Sequence, residues 1–364
     1  WDYFTAGAYG IVMFGFLVAA LKLIFDTIKR KYNPNFVYIV FTAALVFIYW
    51  YRMPYAHRFG RYLMPIIPFM ILVSMTGFRE TAKLIASYFK SKQVANGFNI
   101  LAAVAIIFFG LQNYFDNKKS YAEECRYIND RQVVAAKWIR DNTKETDIIG
   151  THDVGAIAFY SQRKIVDVAG LVTPELINKL HDENYVEYMR EYLKKSNVSY
   201  LAFLREWYRV VNQTPLFMSP ENSAQEVMEV FKFSPDSTHI LSKRVNSGIE
   251  YVGQFINQRG MQNQALNVIN QLLSMDEKSS LTYYLAAIVY GSANDAKNYE
   301  KNLLKAIELY PDFKDALFAL GNFYKAQNNN AEAKKYLTRY VTLKPSDTKA
   351  LEMLKSVSDS TTAK

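Results

Sequence analysis

The hydrophobic and polar positions divide the chain into two unlike parts. Four segments near the start carry no charged side chain: residues 3–21, 32–51, 62–78 and 93–115. A helix rises about 1.5 Å per residue, so each segment is long enough to cross a hydrocarbon core about 30 Å thick. The sequence after residue 115 contains no comparable stretch. The pattern therefore predicts a multi-pass α-helical membrane domain with four transmembrane helices over residues 1–116.

The middle of the chain alternates between helical and strand-like patterns. Residues 131–143 have apolar positions at helical spacing. Short runs rich in β-forming residues occupy positions 147–151, 164–170 and 199–204. Alternation of this kind predicts a small α/β domain over residues 126–246. We expect residues 225–233 and 238–245 to close its sheet as an antiparallel pair.

The last third of the chain repeats with a period of 34 residues. Leu317, Leu320, Gly321 and Tyr324 have counterparts 34 residues earlier, and so has Pro345 in Pro311. This period is typical of the tetratricopeptide repeat (TPR) and predicts an all-α solenoid over residues 248–359, with three repeats and a capping helix from residue 346. We expect the small residues at positions 253, 287 and 321 to let paired helices approach closely. Such arrays bind peptides or protein surfaces, although an array can also simply brace a neighbouring domain.

The charge distribution limits the classes of partner. The net charge is +9, but the basic residues are spread over membrane flanks and helix faces, and no basic run is interleaved with aromatic residues. This pattern argues against nucleic-acid binding. The single cysteine, Cys125, cannot form an internal disulfide. The chain starts at Trp1 without a signal-peptide pattern, so we expect that an upstream portion is missing.

The basic residues that flank the apolar segments also predict an orientation. Lysines and arginines are concentrated at residues 22–31 and 79–92, which indicates that these two loops are cytoplasmic. The loop 52–61 and everything after residue 115 then lie on the outer side. That outer loop is an exception to the rule, because it contains three arginines and a histidine without an acid.

Cations beside the hydrocarbon are costly and usually have a partner. A phosphate matches a guanidinium group, which offers it two parallel hydrogen bonds. His57, Arg58 and Arg61 therefore form a candidate site for a lipid phosphate. The alternative is that the arginines reach ordinary headgroups without any specific function.

Two segments resemble a known family. The sequence RYLMPIIPF at residues 61–69 resembles the membrane glycosyltransferases of the GT-C superfamily. Residues 132–175 are similar to the region after the last span in bacterial members that transfer sugars outside the cytoplasmic membrane. The matching positions are Trp138, Ile139, Arg140, His152, Asp153, Gly155, Ala156, Tyr160, Ser161, Asp167, Ala169, Gly170 and Leu171. By architecture alone, the chain also resembles the transmembrane, TPR-containing protein O-mannosyltransferases.

The resemblance implies a sugar donor carried on a polyprenyl phosphate or diphosphate, an acceptor outside the cytoplasm and inverting displacement at the anomeric carbon. His57, Arg58 and Arg61 would neutralise the leaving phosphate, and Tyr62 would donate a further hydrogen bond. The catalytic base is unknown. Asp2 is the one acid that the outer side offers ahead of the last apolar segment, and a helix-entry role at the interface is its alternative. No cofactor is certain, and assistance by a divalent metal ion is left open.

Two further residues follow a predicted strand, where α/β domains expose functional groups. His152 and Asp153 are candidates for substrate binding. The alternative for both residues is a structural role in capping and turn-making, with Asp153 placed to cap a helix over residues 154–160. His181 is expected at the surface.

The expected location is a bacterial cytoplasmic membrane with the carboxyl-terminal domains outside. The expected partners are membrane lipids, a polyprenyl-phosphate sugar and a protein or peptide in the TPR groove. A noncatalytic membrane-anchored TPR scaffold is the rival function. A transporter fragment is a third possible function, but the apolar segments lack the polar residues that transporters place in the middle of the membrane.

Overall fold

A computed structural model describes residues 7–52, 58–220, 226–256, 258 and 260–362. The chain forms two compact units, Trp1–Glu124 and Cys125–Lys364.

The first unit consists of apolar helices. They are α1 (Gly7–Ile28), α2 (Phe36–Arg52), a 3₁₀ helix (Arg58–Ile66), α3 (Ile67–Phe89) and α4 (Lys92–Ile128). By length and composition, the continuous helical segments Gly7–Ile28, Tyr62–Phe89 and Lys92–Asn142 could cross a membrane, whereas α2 is a shorter apolar helix of 17 residues. Many of their large apolar side chains are exposed, as lipid-facing side chains would be. The prediction of a membrane domain is therefore supported by the character of these helices.

Proline explains why the segment after α2 begins as a 3₁₀ helix. Pro65 lies inside that helix and Pro68 lies in the first turn of α3. A proline has no backbone N–H and tolerates the first turn of a helix but not its interior. The α-helical hydrogen bonds therefore start only at Ile67.

Helices α1 and α3 pack through glycine. A Cβ atom on Gly77 would lie 1.8 Å from the carbonyl oxygen of Gly15, so the two backbones touch at this point. Ala19 and Leu23 of α1 continue the contact against Met70 of α3. Small residues at a crossing let helix backbones approach and gain van der Waals contact, which is how helices associate in lipid.

The second unit begins with an α/β domain. Its strands are β1 (Ile148–Thr151), β2 (Lys164–Asp167), β3 (Tyr200–Leu204), β4 (Phe217–Met218) and β5 (Met228–Lys232). In the described residues the strand order is β2-β1-β3-β5-β4, with β1 parallel to β2 and β3, and β5 antiparallel to β3 and β4. The helices are a π turn (Asn129–Val133), α5 (Val134–Asn142), α6 (Val154–Ser161), a 3₁₀ helix (Pro174–Lys179) and α7 (Tyr185–Lys195).

Both faces of this sheet are covered. Leu201 and Phe203 of β3 belong to the core that contains Met189 and Leu193 of α7. Ala202, between them, belongs to the opposite core. Since successive side chains of a strand point to opposite faces, one strand contributes to both layers.

The predicted antiparallel pair of residues 225–233 with 238–245 is wrong. β5 lies between β3 and β4, and residues 238–242 contribute only an isolated bridge from Ile240 to Val210. The second segment instead starts a helix, because the hydroxyl of Ser242 accepts a hydrogen bond from the backbone N–H of Val245.

The carboxyl-terminal part consists of helix pairs. The pairs are α8 (Lys243–Gly253) with α9 (Gln262–Met275), α10 (Ser280–Ser292) with α11 (Ala296–Leu309), and α12 (Lys314–Ala326) with α13 (Asn330–Leu343), followed by α14 (Thr348–Thr362). Asp295 and Asn329 cap the second helices of the last two pairs. The TPR prediction is confirmed.

The close approaches between paired helices follow the prediction at two of three positions. Ala287 and Gly321 are buried, and a Cβ atom on Gly321 would lie 2.7 Å from the side chain of Leu337. The prediction for Gly253 is wrong, because the space beside it is open. In the first repeat the close approach is at Gly248, where a Cβ atom would lie 2.4 Å from Leu272.

Candidate functional site

The predicted lipid-phosphate residues lie at the start of the segment that continues into α3. Asp2 and His57 lie outside the described residues. Arg58 and Arg61 are in the 3₁₀ helix, where three residues make one turn, so their backbone positions are one turn apart on the same side. The ring of Tyr62 packs 5.6 Å from that of Tyr49 in α2. The phosphate site itself remains a prediction.

His152 lies at the carboxyl end of β1 and is buried, with 6% of its surface exposed. Its ring stacks on Trp207 with 5.1 Å between centroids, and Phe203 and Tyr208 surround it. Neither ring nitrogen has a hydrogen-bond partner among the described residues. Burial lowers the pKa of His152 to about 4, since the charged imidazolium would lose its hydration. The ring is therefore neutral at pH 7.

The predicted capping role of Asp153 is wrong, while its predicted role in substrate binding with His152 stays a prediction. Asp153 occupies the position before α6, but its side chain accepts no hydrogen bond from the helix. The carboxylate instead accepts a hydrogen bond from the amide of Gln132, a buried side chain in the π turn. A buried amide needs an acceptor, and Asp153 is the group that supplies it.

Asp167, at the end of β2, is fully buried and organises the turn that follows. Its carboxylate oxygens accept hydrogen bonds from the backbone N–H groups of Ala169 and Val172, each at 2.7 Å. Within the ranges that the structure describes, no group of three His, Cys, Asp or Glu side chains is arranged to hold a metal ion.

The TPR array presents a continuous surface on its first helices. In α10 the partly open residues Leu281, Tyr284 and Ile288 follow each other at helical spacing. Their counterparts 34 residues later are Asp315, Phe318 and Asn322 of α12, which are likewise not fully buried. We call these six residues the array face.

The array face combines aromatic and acidic groups. The ring of Tyr284 lies 5.0 Å from Phe313, and that of Phe318 lies 4.9 Å from Tyr340. Burial raises the pKa of Tyr284 to about 12, and the negative charge of Asp315 adds to this shift. The face therefore offers apolar contact area beside a carboxylate.

The first repeat and part of the second are attached to the α/β domain rather than free. Val211 and Leu241 share a hydrophobic core with residues of α8, α9 and α10. His239 Nε2 lies 2.8 Å from a carboxylate oxygen of Asp276, and Thr214 and Tyr310 share a hydrogen bond of 2.9 Å. His239 and Asp276 also line a polar cleft of about 420 Å³ at this junction. The sequence left bracing of a neighbouring domain open as an alternative, but the repeat period carries no information about which residues form this attachment.

Comparisons with known proteins support the TPR assignment. Residues 302–335 match the family described as "Tetratricopeptide repeat". Residues 123–269 match a "Domain of unknown function (DUF8728)", a segment that includes the α/β domain together with most of the first repeat. This extent agrees with the hydrophobic core that the two share. No curated protein matches the chain.

Two solved structures are similar to part of the chain. One is the "First TPR of Spaghetti (RPAP3) bound to HSP90 peptide SRMEEVD", with 19% identity, 33% of this chain and 94% of that chain covered, and a TM-score of 0.31. Another is the "Crystal structure of MamA protein", with 18% identity, 32% and 62% coverage and a TM-score of 0.29. The chain thus spans less than two thirds of that MamA chain.

Proposed function

We propose that this chain is a membrane-anchored protein whose TPR array binds a protein partner. TPR repeats indicate protein–protein interaction. The observation that carries the proposal is the array face, which repeats at matching positions of α10 and α12 while the opposite sides of those helices are buried. The helices of the first unit, apolar and exposed, supply the anchor.

The chemistry of the array face indicates what the partner presents. Tyr284 and Phe318 offer aromatic surface that an apolar side chain would cover. Asp315 is exposed beside them and would attract a lysine or arginine. A segment that combines apolar and basic side chains fits this surface.

Photo-cross-linking in the native membrane tests this function. A photoreactive amino acid at position 318 should cross-link to one protein partner, because Phe318 lies on the array face. The matched control is position 334, an exposed lysine on the second helix α13, which should not give that product. Equal yields at both positions, or none at position 318, would show that the array face is not the binding surface.

A second function is favoured by one feature of the membrane domain. Arg58 and Arg61 lie one 3₁₀ turn apart where an apolar helical segment begins, as a site for a phosphate would need. Together with the resemblance of residues 61–69 and 132–175, this supports transfer of a sugar from a polyprenyl-phosphate donor to an extracytoplasmic acceptor. The two guanidinium groups would stabilise the negative charge of the leaving phosphate as the glycosidic bond breaks.

Substitution in the complete protein tests the transferase function. Replacing Arg58 and Arg61 with alanine should lower the turnover of a lipid-linked sugar by at least about a hundredfold, because each guanidinium acts on charge that develops in the transition state. Arg79, on the predicted cytoplasmic side, is the matched control, and its replacement should leave turnover unchanged. If the double variant keeps full turnover, the two arginines have no role in transfer.

A further inference from the structure

The loops that follow the three parallel strands meet at one edge of the sheet. β2, β1 and β3 are neighbours, and Thr151 pairs with Asp167 on one side and with Ala202 on the other. Because the strands are parallel, their carboxyl ends lie together. We call this border the carboxyl edge.

The carboxyl edge exposes large apolar side chains. Leu171 and Val172 in the loop after β2 are 75% and 60% exposed, and Trp207 in the loop after β3 is 54% exposed. Ile177, in the 3₁₀ helix that follows the first loop, is 49% exposed. Leu171, Val172, Ile177 and Trp207 form what we call the edge patch. Clustered exposure of this kind marks an interaction surface more often than scattered apolar residues do.

The edge patch is held in place by buried polar and aromatic groups. The carboxylate of Asp167 binds the backbone N–H of Val172, and Gly170 takes a φ of +80°, which other residues rarely adopt. Beneath Trp207 lies the ring of His152. These contacts fix the loops in a conformation that directs apolar side chains into solvent, so the exposure is a built feature of the fold.

The chain enters the α/β domain at this same edge. The π turn that ends α4 contains Gln132, whose side chain donates to Asp153 directly after β1. The apolar part of α4 ends at Phe115, and the exposed Lys118 and Lys119 that follow are suited to lipid headgroups. Only residues 120–128, about 14 Å of helix, separate these lysines from the π turn.

We propose that the edge patch inserts into the headgroup region of the membrane that anchors the chain. Lipid is the occupant that the geometry favours, because the tether and the patch share one edge of the domain. Trp207 suits this position, since tryptophan rings prefer the boundary between apolar and wet surroundings. The proposal rests on the proposed membrane anchor.

Depth-dependent fluorescence quenching tests this proposal in the full chain. Cys125 is free and exposed, so a Cys125→Ser background allows one new cysteine to be labelled. The protein is reconstituted in phosphatidylcholine vesicles that contain a lipid with a nitroxide group near its headgroup. An environment-sensitive dye on Leu171→Cys should be quenched by this lipid at least about twofold more than the same dye at a control position. The control is Asp236→Cys, an exposed position beyond β5 near the opposite edge, where Lys232 pairs with Tyr200 at the start of β3.

The outcomes separate this proposal from the membrane anchor. If the protein does not float with the vesicles, the anchor fails and the proposal fails with it. If the protein floats and the two labels are quenched equally, the edge patch does not touch lipid and the proposal is overturned. The label at position 171 could also be shielded from aqueous iodide without being quenched by the nitroxide lipid. That result would mean that a second copy of the chain covers the edge patch, and it would also overturn the proposal.

Discussion

At the scale of single residues, His152 is the buried group whose titration should be visible. Its pKa lies near 4 in the folded chain and near 6.5 when unfolded, so between these values the unfolded state binds more protons. Burial of His152 therefore does not lower the free energy of unfolding above pH 6.5. As the pH falls from 6.5 to about 4, the unfolded state is protonated first and the free energy of unfolding decreases. The loss amounts to about 3 kcal/mol at most.

Urea unfolding of the fragment 125–364 at pH 7.5 and pH 4.5 measures this effect. His152→Phe keeps an aromatic ring among Phe203, Trp207 and Tyr208, and this variant should lose less stability on acidification than the wild type. His181→Gln, at an exposed position, should behave as the wild type does. An acid sensitivity that is the same in the His152→Phe variant would mean that the buried ring does not govern the response.

The sequence placed His152 and Asp153 after a strand, and the structure agrees with that placement. It could not show where their side chains go, since Trp207 and Gln132 are distant in sequence and reach them only through the fold. The same limit applies to Asp167, whose role in shaping a turn depends on buried backbone N–H groups.

At the scale of elements, the contact between α1 and α3 makes a sharp prediction. Gly77→Val should separate the two helices, because a Cβ atom there would overlap the backbone of Gly15. Overpacking of this kind costs about 1–3 kcal/mol or more, so the melting temperature in detergent should fall by several degrees. Gly97→Val in α4 is the control, since no atom lies within 4 Å of its added Cβ. Equal melting temperatures for the two variants would contradict the observed packing of α1 on α3.

The sequence pattern was enough to predict the repeat helices and the apolar helices. Burial in a solenoid recurs at a fixed period, and an apolar helix is recognised from its own continuous segment, so neither prediction depends on distant residues. The pattern was not enough for the pairing of β5. Both faces of that strand are buried, with Val230 and Phe231 in different cores, so its partners depend on the whole sheet. Nor could it find the approach at Gly15 and Gly77, which are far apart in sequence and belong to no repeated motif.

At the scale of the whole molecule, both proposed functions require that the apolar helices cross a membrane. The transferase function also requires that the α/β domain and the TPR array lie on the outer side. The distribution of lysine and arginine predicts this orientation. The loop 52–61, which is also basic, is the exception to this distribution.

Labelling of the single native cysteine tests this arrangement most directly. Cys125 is exposed and follows α4's apolar segment. A membrane-impermeant maleimide should modify Cys125 in intact spheroplasts. The control is Lys31→Cys, placed in the predicted cytoplasmic loop of a Cys125→Ser variant, which should react only after lysis. Labelling of Lys31→Cys in intact spheroplasts with protection of Cys125 would contradict the account.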